Sequence, residues 1–101
     1  MKLIRDRIPE IAEINGGVMD YHLANPAEFR HHLQKKLLEE ANEFLESGEP
    51  EELADILEVI RAIAEERGMT MRDVYVLRDK KRKERGGFDN RVIWENRSKT
   101  E

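Results

Sequence analysis

The chain has 101 residues, of which 39% are apolar and 40% are charged, and its formal net charge is −4 at pH 7. This length predicts one domain, residues 1–101, and the low apolar share predicts either a largely exposed helical protein or one that completes its core by self-association. The negative charge gives no general attraction to nucleic acid or to anionic membranes, and no apolar run approaches the ~20 residues of a membrane span.

Two helices are predicted in the first half of the chain. The stretch "RIPEIAEINGG" predicts a short helix that is opened by Pro9 and ended by Gly16–Gly17. The stretch "ANPAEFRHHLQKKLLEEANEFLESG" predicts a long helix, with Asn25 as its N-cap, Pro26 in its first turn and Gly48 at its end.

Two further helices are predicted in the second half. The stretch "EPEELADILEVIRAIAEERG" predicts a helix that begins at Pro50 and ends before Gly68, and "TMRDVYVLRDKKRKERGG" predicts one that is capped by Thr70 and ended by Gly86–Gly87. The tail "FDNRVIWENRSKTE" predicts a short strand or an extended C-terminal arm. The expected fold class is therefore all-α, with little or no sheet.

Acidic residues fall where these helices should be apolar. Nine acidic residues and no lysine or arginine lie within residues 37–60. On a helical wheel of ~100° per residue, Glu40 lies inside the edge of the apolar stripe of its helix, and Glu43 lies on the flank. In the next helix, Glu52 lies within the stripe and Asp55 at its edge. The acids expected on the far, solvated face are Glu46, Glu65 and Glu66.

The two acid pairs have mirrored spacing about the turn at residues 47–50. Each is an i,i+3 pair on neighbouring helical turns, so an antiparallel hairpin brings all four carboxylates to one level. Four anions in a half-buried cleft repel each other unless they are neutralised. Lys36, near Glu43 on the wheel, supplies too little positive charge to neutralise them. A hard divalent cation (Mg²⁺, Mn²⁺ or Ca²⁺) suits such an all-carboxylate site without His or Cys.

Two features of these acids also have more ordinary interpretations. An i,i+3 acid pair by itself usually forms a solvated helix face, but two mirrored pairs that border apolar stripes across a tight turn favour a metal site. The E-x-x-H spacing of Glu28 and His31 is similar to that of di-iron bundles, but it lies on the polar face and is not taken as a site.

The two motifs, Glu40-Ala-Asn-Glu43 and Glu52-Leu-Ala-Asp55, resemble the metal motif of the all-α nucleoside triphosphate pyrophosphohydrolases. That superfamily includes MazG-like proteins, dimeric dUTPases and phosphoribosyl-ATP pyrophosphohydrolase. One small branch is similar along nearly the whole chain, through "KLIRDRIPEI", "KLLEEANEFL", "EELADILEVI" and "ERGGFDNRVIWE".

The resemblance implies an enzyme that hydrolyses a nucleoside triphosphate between the α and β phosphates, releasing a monophosphate and pyrophosphate. Its implied cofactor is Mg²⁺, with Mn²⁺ as a possible substitute. The implied metal ligands are Glu40, Glu43, Glu52 and Asp55. Glu39 matches the first acid of the fuller E-E-x-x-E motif and is the candidate to orient or deprotonate the attacking water, and Glu58 is a further, more exposed candidate ligand.

A polyphosphate substrate also needs basic partners. The run from Arg78 to Arg85 carries six basic and two acidic residues, and Lys81 and Arg85 match the K-x-x-x-R-G-G-F ending of the branch. We expect Lys81, Arg85 and Arg5 of "RDRIP" to bind substrate phosphates. The alternative for the basic run is a solvated helix end that complements the helix dipole.

These observations predict a cytoplasmic nucleotide pyrophosphohydrolase, a location compatible with the absence of cysteine. Two helical hairpins are expected to pack as a four-helix-bundle-like homodimer or higher homo-oligomer, with no membrane and no nucleic acid as partner. The implied role is removal of unwanted nucleotides. The alternative is a non-catalytic helical adaptor that binds partners through its acidic hairpin and basic tail, and a nucleic-acid contact by the basic helix ranks last.

Overall fold

The computed structural model describes residues 1–95 of the chain. Four α-helices form in this range: α1 (Ile8–Ile14), α2 (Pro26–Ser47), α3 (Pro50–Glu66) and α4 (Met71–Arg85). No strand occurs among residues 1–95, so the predicted all-α class is confirmed for them. None of these four helices combines the length and the apolar composition that a membrane crossing needs.

The predicted helix bounds are confirmed to within about two residues, because the sequence signals at their ends act locally. The long helix α2 begins with a complete capping box: the Asn25 side chain accepts a hydrogen bond from the Glu28 backbone N–H, and the Glu28 carboxylate accepts one from the Asn25 backbone N–H. At its other end Gly48 adopts a left-handed conformation with φ of 67°, which a residue with a side chain seldom adopts.

The chain divides into two compact units, Met1–Thr70 and Met71–Glu101. In the first unit α2 packs against α3, and only residues 48 and 49 join them. Arg30, near the start of α2, forms an ion pair of 3.0 Å with Glu66 at the end of α3, which agrees with an antiparallel hairpin. The prediction of one domain stays a prediction.

The apolar core of the hairpin is small. Among the described residues only three apolar side chains are buried, namely Leu33, Val59 and Ala64. Other large apolar side chains of the two hairpin helices are exposed: Leu45 by 80%, Leu53 by 53% and Leu57 by 50%. The expectation that Glu66 lies on the far face is wrong, since its side chain is only 11% exposed against Arg30.

The second unit contains α4 and the residues after it. The Arg78 guanidinium lies 5.0 Å from the centre of the Tyr75 ring, and Arg82 forms an ion pair of 3.2 Å with Asp89. A turn follows the helix, closed by a hydrogen bond from the Arg91 N–H to the Phe88 carbonyl. The predicted C-terminal arm has neither helix nor strand over residues 91–95, and its remainder, 96–101, lies outside the described residues.

The capping box gives a first testable prediction. Asn25→Ala should lower the free energy of unfolding by about 1 kcal/mol, because the Glu28 N–H loses its acceptor at the start of α2. Chemical denaturation followed by circular dichroism measures this. The matched control is Asn42→Ala, an exposed position within α2, where the higher helix propensity of alanine should leave stability equal or slightly raised. Equal losses for both variants would contradict a specific role for the cap.

Candidate metal centre

The hairpin brings together three of the predicted metal ligands. Glu40 comes from α2, and Glu52 and Asp55 come from successive turns of α3. One carboxylate oxygen of each lies within 4.8 Å of the corresponding oxygens of the other two. The sequence spacing therefore leads to convergence across the hairpin, because the short connection fixes which turns of α2 and α3 face each other.

Two oxygens of this group are buried and lack a hydrogen-bond partner within residues 1–95: Oε2 of Glu40 and Oε2 of Glu52. The whole Glu40 residue is only 6% exposed, and it is the one buried charged residue in the described chain. Buried carboxylate oxygens without donors are costly, so proteins nearly always satisfy them. A cation between these oxygens would supply the missing interaction.

The electrostatics of Glu40 reflect this crowding. Burial raises the pKa of Glu40 above its ordinary value of 4.5; hydrogen bonding to Lys36 opposes the rise, and hydrogen bonding to Glu43 adds to it. Glu43 is thus a neighbour of Glu40, but its side chain is exposed and lies outside the group of three converging residues. Its position on the flank of α2 explains this difference. A ligand role for Glu43 stays a prediction.

Lys36 lies beside different acids from the one expected. The wheel places it near Glu43, whereas its Nζ lies 2.9 Å from Glu39 and 3.3 Å from Glu40, and its side chain is 16% exposed. These are i,i+3 and i,i+4 pairs, so the sequence spacing alone could have predicted that Lys36 pairs with Glu39 and Glu40. Lys36 holds Oε1 of Glu40 and leaves Oε2 directed toward no donor of the described chain.

The N-terminal segment supplies two further cations. Arg5 donates a hydrogen bond of 2.6 Å to Oδ1 of Asp55, and the Lys2 ammonium lies 3.3 Å from Oε1 of Glu39. Arg5, predicted to bind phosphate, therefore contacts a predicted metal ligand. Helix periodicity could not reveal this contact, because Lys2 and Arg5 precede α1 and lie far along the chain from their partners.

Glu39, the candidate for handling the attacking water, lies between Lys36 and Lys2. Hydrogen bonding to Lys36, despite partial burial and with help from Lys2, lowers its pKa, so the carboxylate is ionised at neutral pH. An ionised carboxylate accepts hydrogen bonds and can orient a water molecule. Glu39 is not one of the three converging acids, and its catalytic role stays a prediction.

The remaining candidates lie elsewhere. Glu58 pairs with Arg61 at 2.8 Å, and this hydrogen bond lowers its pKa, so its charge is already matched within α3. Lys81 and Arg85 are exposed residues of α4 in the second unit. Their binding to substrate phosphates stays a prediction.

A small cavity of about 130 Å³ lies between the N-terminal segment and α2. Its lining includes three lysines and one of the site acids, and the residues are Met1, Lys2, Leu3, His32, Lys35, Lys36 and Glu39. Positive charge therefore lies next to the acids within the first unit itself. This cavity could not be predicted from sequence patterns, because two segments that are distant in the sequence, residues 1–3 and α2, form it together.

The converging oxygens fit a hard cation. Two oxygens bound to one Mg²⁺ at about 2.1 Å are at most about 4.2 Å apart, and the corresponding limit for Ca²⁺ at about 2.6 Å is about 5.2 Å. The three oxygens lie within 4.8 Å of one another, so their separations do not exceed the limit for calcium, and they suit magnesium wherever they are at most about 4.2 Å. Carboxylates without nitrogen or sulfur donors favour such cations over zinc or copper.

Comparisons of the chain with protein-family models, curated proteins and solved structures found no match. The resemblance to the all-α pyrophosphohydrolases therefore depends on the motifs alone.

The raised pKa of Glu40 gives a second prediction. Because the folded chain binds this proton more tightly than the unfolded chain, the contribution of Glu40 to stability is fully present below pH 4.5 and is lost as the pH rises through the raised pKa. With a chelator present, Glu40→Gln should therefore gain stability relative to the wild type between about pH 4 and about pH 7. Denaturant unfolding at both pH values measures the difference. A constant difference between the two chains at both pH values would contradict the burial of this carboxylate.

Proposed function

We propose that the chain is a cytoplasmic, metal-dependent nucleotide pyrophosphohydrolase of the all-α, MazG-like type. The observation that supports it best is the convergence of Glu40, Glu52 and Asp55, with buried oxygens that lack a donor in the described chain. The motifs that contain these residues are the ones that resemble the superfamily's metal motif. The cytoplasmic location follows from this substrate class alone.

The chain's own residues take distinct roles in this proposal. Glu40, Glu52 and Asp55 bind Mg²⁺ or Mn²⁺, with Glu43 at the exposed edge of the site. A bound divalent cation neutralises phosphate charge and lowers the pKa of a water molecule. Glu39, ionised between two lysines, orients that water or accepts its proton.

The substrate is a nucleoside triphosphate or a related nucleotide, cleaved between the α and β phosphates. This choice derives from the resemblance, and the removal of unwanted nucleotides as the biological role derives from it too. Two sets of basic residues support phosphate binding: the exposed Lys81 and Arg85 on α4, and the lysines that line the cavity beside Glu39.

The functional form is a homodimer or higher homo-oligomer in which hairpins pack into a four-helix bundle. Support comes from the thin core and from large apolar side chains on the hairpin that a single chain leaves exposed. They occur at helical spacings, with Leu38 and Leu45 seven residues apart on α2 and Leu53 and Leu57 four apart on α3. Large apolar side chains that are exposed at helical spacing are typical of association interfaces.

A second candidate is a non-catalytic adaptor. The distribution of charge favours it: residues 1–70 carry 16 acidic and 8 basic side chains, whereas residues 71–101 carry 6 acidic and 10 basic ones. Exposed apolar residues also follow α4, notably Phe88, Val92 and Ile93. An adaptor needs these surfaces but has no need for converging buried carboxylates, which is why it ranks second.

The enzymatic proposal predicts specific products. Purified protein with Mg²⁺ or Mn²⁺ should convert at least one of a panel of nucleoside triphosphates to its monophosphate and pyrophosphate. Glu52→Gln and Asp55→Asn should each lower the rate at least about a hundredfold, since even the residues that support metal ligands contribute about 10–100-fold. Chromatography of nucleotides and a coupled pyrophosphate assay measure this.

The matched control is Glu51→Gln, which removes the same charge from the exposed neighbour of Glu52 on α3 and should keep near wild-type turnover. Release of orthophosphate instead of pyrophosphate would contradict the cleavage site. A wild-type protein without turnover on the whole panel would favour the adaptor.

The assembly proposal has its own test. Leu53→Glu should shift the protein toward monomer in sedimentation equilibrium while its helical circular dichroism persists, because a charge in the middle of an apolar interface must be desolvated. Ala54→Glu adds the same charge at the next, exposed position of α3, on the side of Glu51 and Glu58, and should leave the mass unchanged. A monomeric wild type, or equal masses for all three proteins, would contradict the bundle.

A further inference from the structure

The N-terminal segment, residues 2–5, lies against the acids of both hairpin helices. Lys2 reaches Glu39 on α2 and Arg5 reaches Asp55 on α3, at 3.3 Å and 2.6 Å. Between them Leu3 and Ile4 are partly buried, while Lys2 and Arg5 themselves are exposed. The apolar side chains of the segment are thus partly covered, while its two charged side chains reach the acids from the solvent side.

The Arg5–Asp55 pair occupies an oxygen of a proposed metal ligand. A guanidinium stays protonated at any physiological pH, so it cannot make way for a cation by losing its charge. A divalent ion bound to Asp55 would lie within a few ångströms of this positive group, and the two would repel. The ion pair therefore disfavours a cation bound to the same carboxylate.

The charges of the site show how Arg5 lowers the attraction for a cation. Five carboxylates, namely Glu39, Glu40, Glu43, Glu52 and Asp55, are accompanied by three cations, namely Lys2, Arg5 and Lys36. Five minus three leaves two formal negative charges, which one divalent cation neutralises. Without Arg5 the excess is three, so the attraction for a cation rises.

We propose that Arg5 is a tethered counter-ion that competes with the divalent cation for Asp55 and so sets the affinity of the site. This rests on the metal site of the proposed function. Arg5 is the residue suited to this role because it pairs with a converging acid, whereas Lys2 pairs with Glu39 outside that group.

The test measures binding of Mn²⁺ alone, from the electron paramagnetic resonance signal of the free ion, at low ionic strength. Arg5→Gln should bind Mn²⁺ roughly three- to tenfold more tightly than the wild type, the range expected for loss of one nearby, partly screened charge. The gain should shrink as salt is raised toward about 0.15 M, since Arg5 is largely exposed.

Two further variants make the test specific. Arg7→Gln removes the same charge from the same segment, but Arg7 pairs with Glu10, at 3.4 Å, and its affinity should match the wild type. Arg5→Lys keeps the charge without the planar fork and should fall between the wild type and Arg5→Gln. If circular dichroism shows that Arg5→Gln is misfolded, Arg5→Lys becomes the decisive variant.

The outcomes separate the two proposals. Tighter binding by Arg5→Gln, with Arg7→Gln unchanged, supports competition at Asp55. Saturable binding by the wild type that Arg5→Gln leaves unchanged or weakens overturns the role of Arg5 and keeps the metal site. Equal gains in Mn²⁺ affinity for Arg5→Gln and Arg7→Gln also overturn the role of Arg5, because the loss of one positive charge anywhere in the segment then explains the gains. If the wild type binds no Mn²⁺ at saturable sites, the metal site and the role of Arg5 both fail.

Discussion

The structure of the first unit depends on how three carboxylates are held together at the centre of a helical hairpin. The left-handed Gly48 and a connection of two residues fix α2 against α3, so Glu40 faces Glu52 and Asp55. Like charges at this distance, partly removed from water, repel strongly. Lys36 and Arg5 offset part of the repulsion, yet two buried oxygens keep no donor among residues 1–95. The arrangement is costly for stability alone, and the proposed metal site would account for it.

The same arrangement constrains the rest of the hairpin. Glu40 occupies a buried position that an apolar residue would otherwise fill, in a unit with few buried apolar side chains. A chain of this size has little surplus stability, so a site of this kind needs support from elsewhere. Ion pairs such as Arg30–Glu66 add modestly. Exposed leucines on both hairpin helices offer the larger contribution if a second copy covers them.

Local signals in the sequence were sufficient for the helices and for part of the site. Caps, prolines and glycines predicted the helix ends. The mirrored i,i+3 spacing predicted that four acids converge, and the structure brings together three of them, without Glu43. The contacts of Arg5 and Lys2 were missed because an irregular segment has no period from which its neighbours can be read. The prediction that Glu66 lies on the solvated face of α3 was wrong because a helical wheel describes one helix at a time, whereas Arg30 of α2 covers the Glu66 side chain. The exposed leucines of α2 and α3 have no partner surface within the described part of the single chain, so the sequence of one chain could not show what covers them.

The central claim is that carboxylates from two helices bind one divalent cation at a defined position. Paramagnetic broadening of backbone amide signals by substoichiometric Mn²⁺, mapped by nuclear magnetic resonance, tests it most directly. If the ion binds there, amides around Glu40, Glu52 and Asp55 should broaden first and recover when excess Mg²⁺ is added. Broadening spread evenly over all acidic stretches, including those around Glu46 and Glu65, would mean that the ion is attracted by charge alone, and would contradict the account.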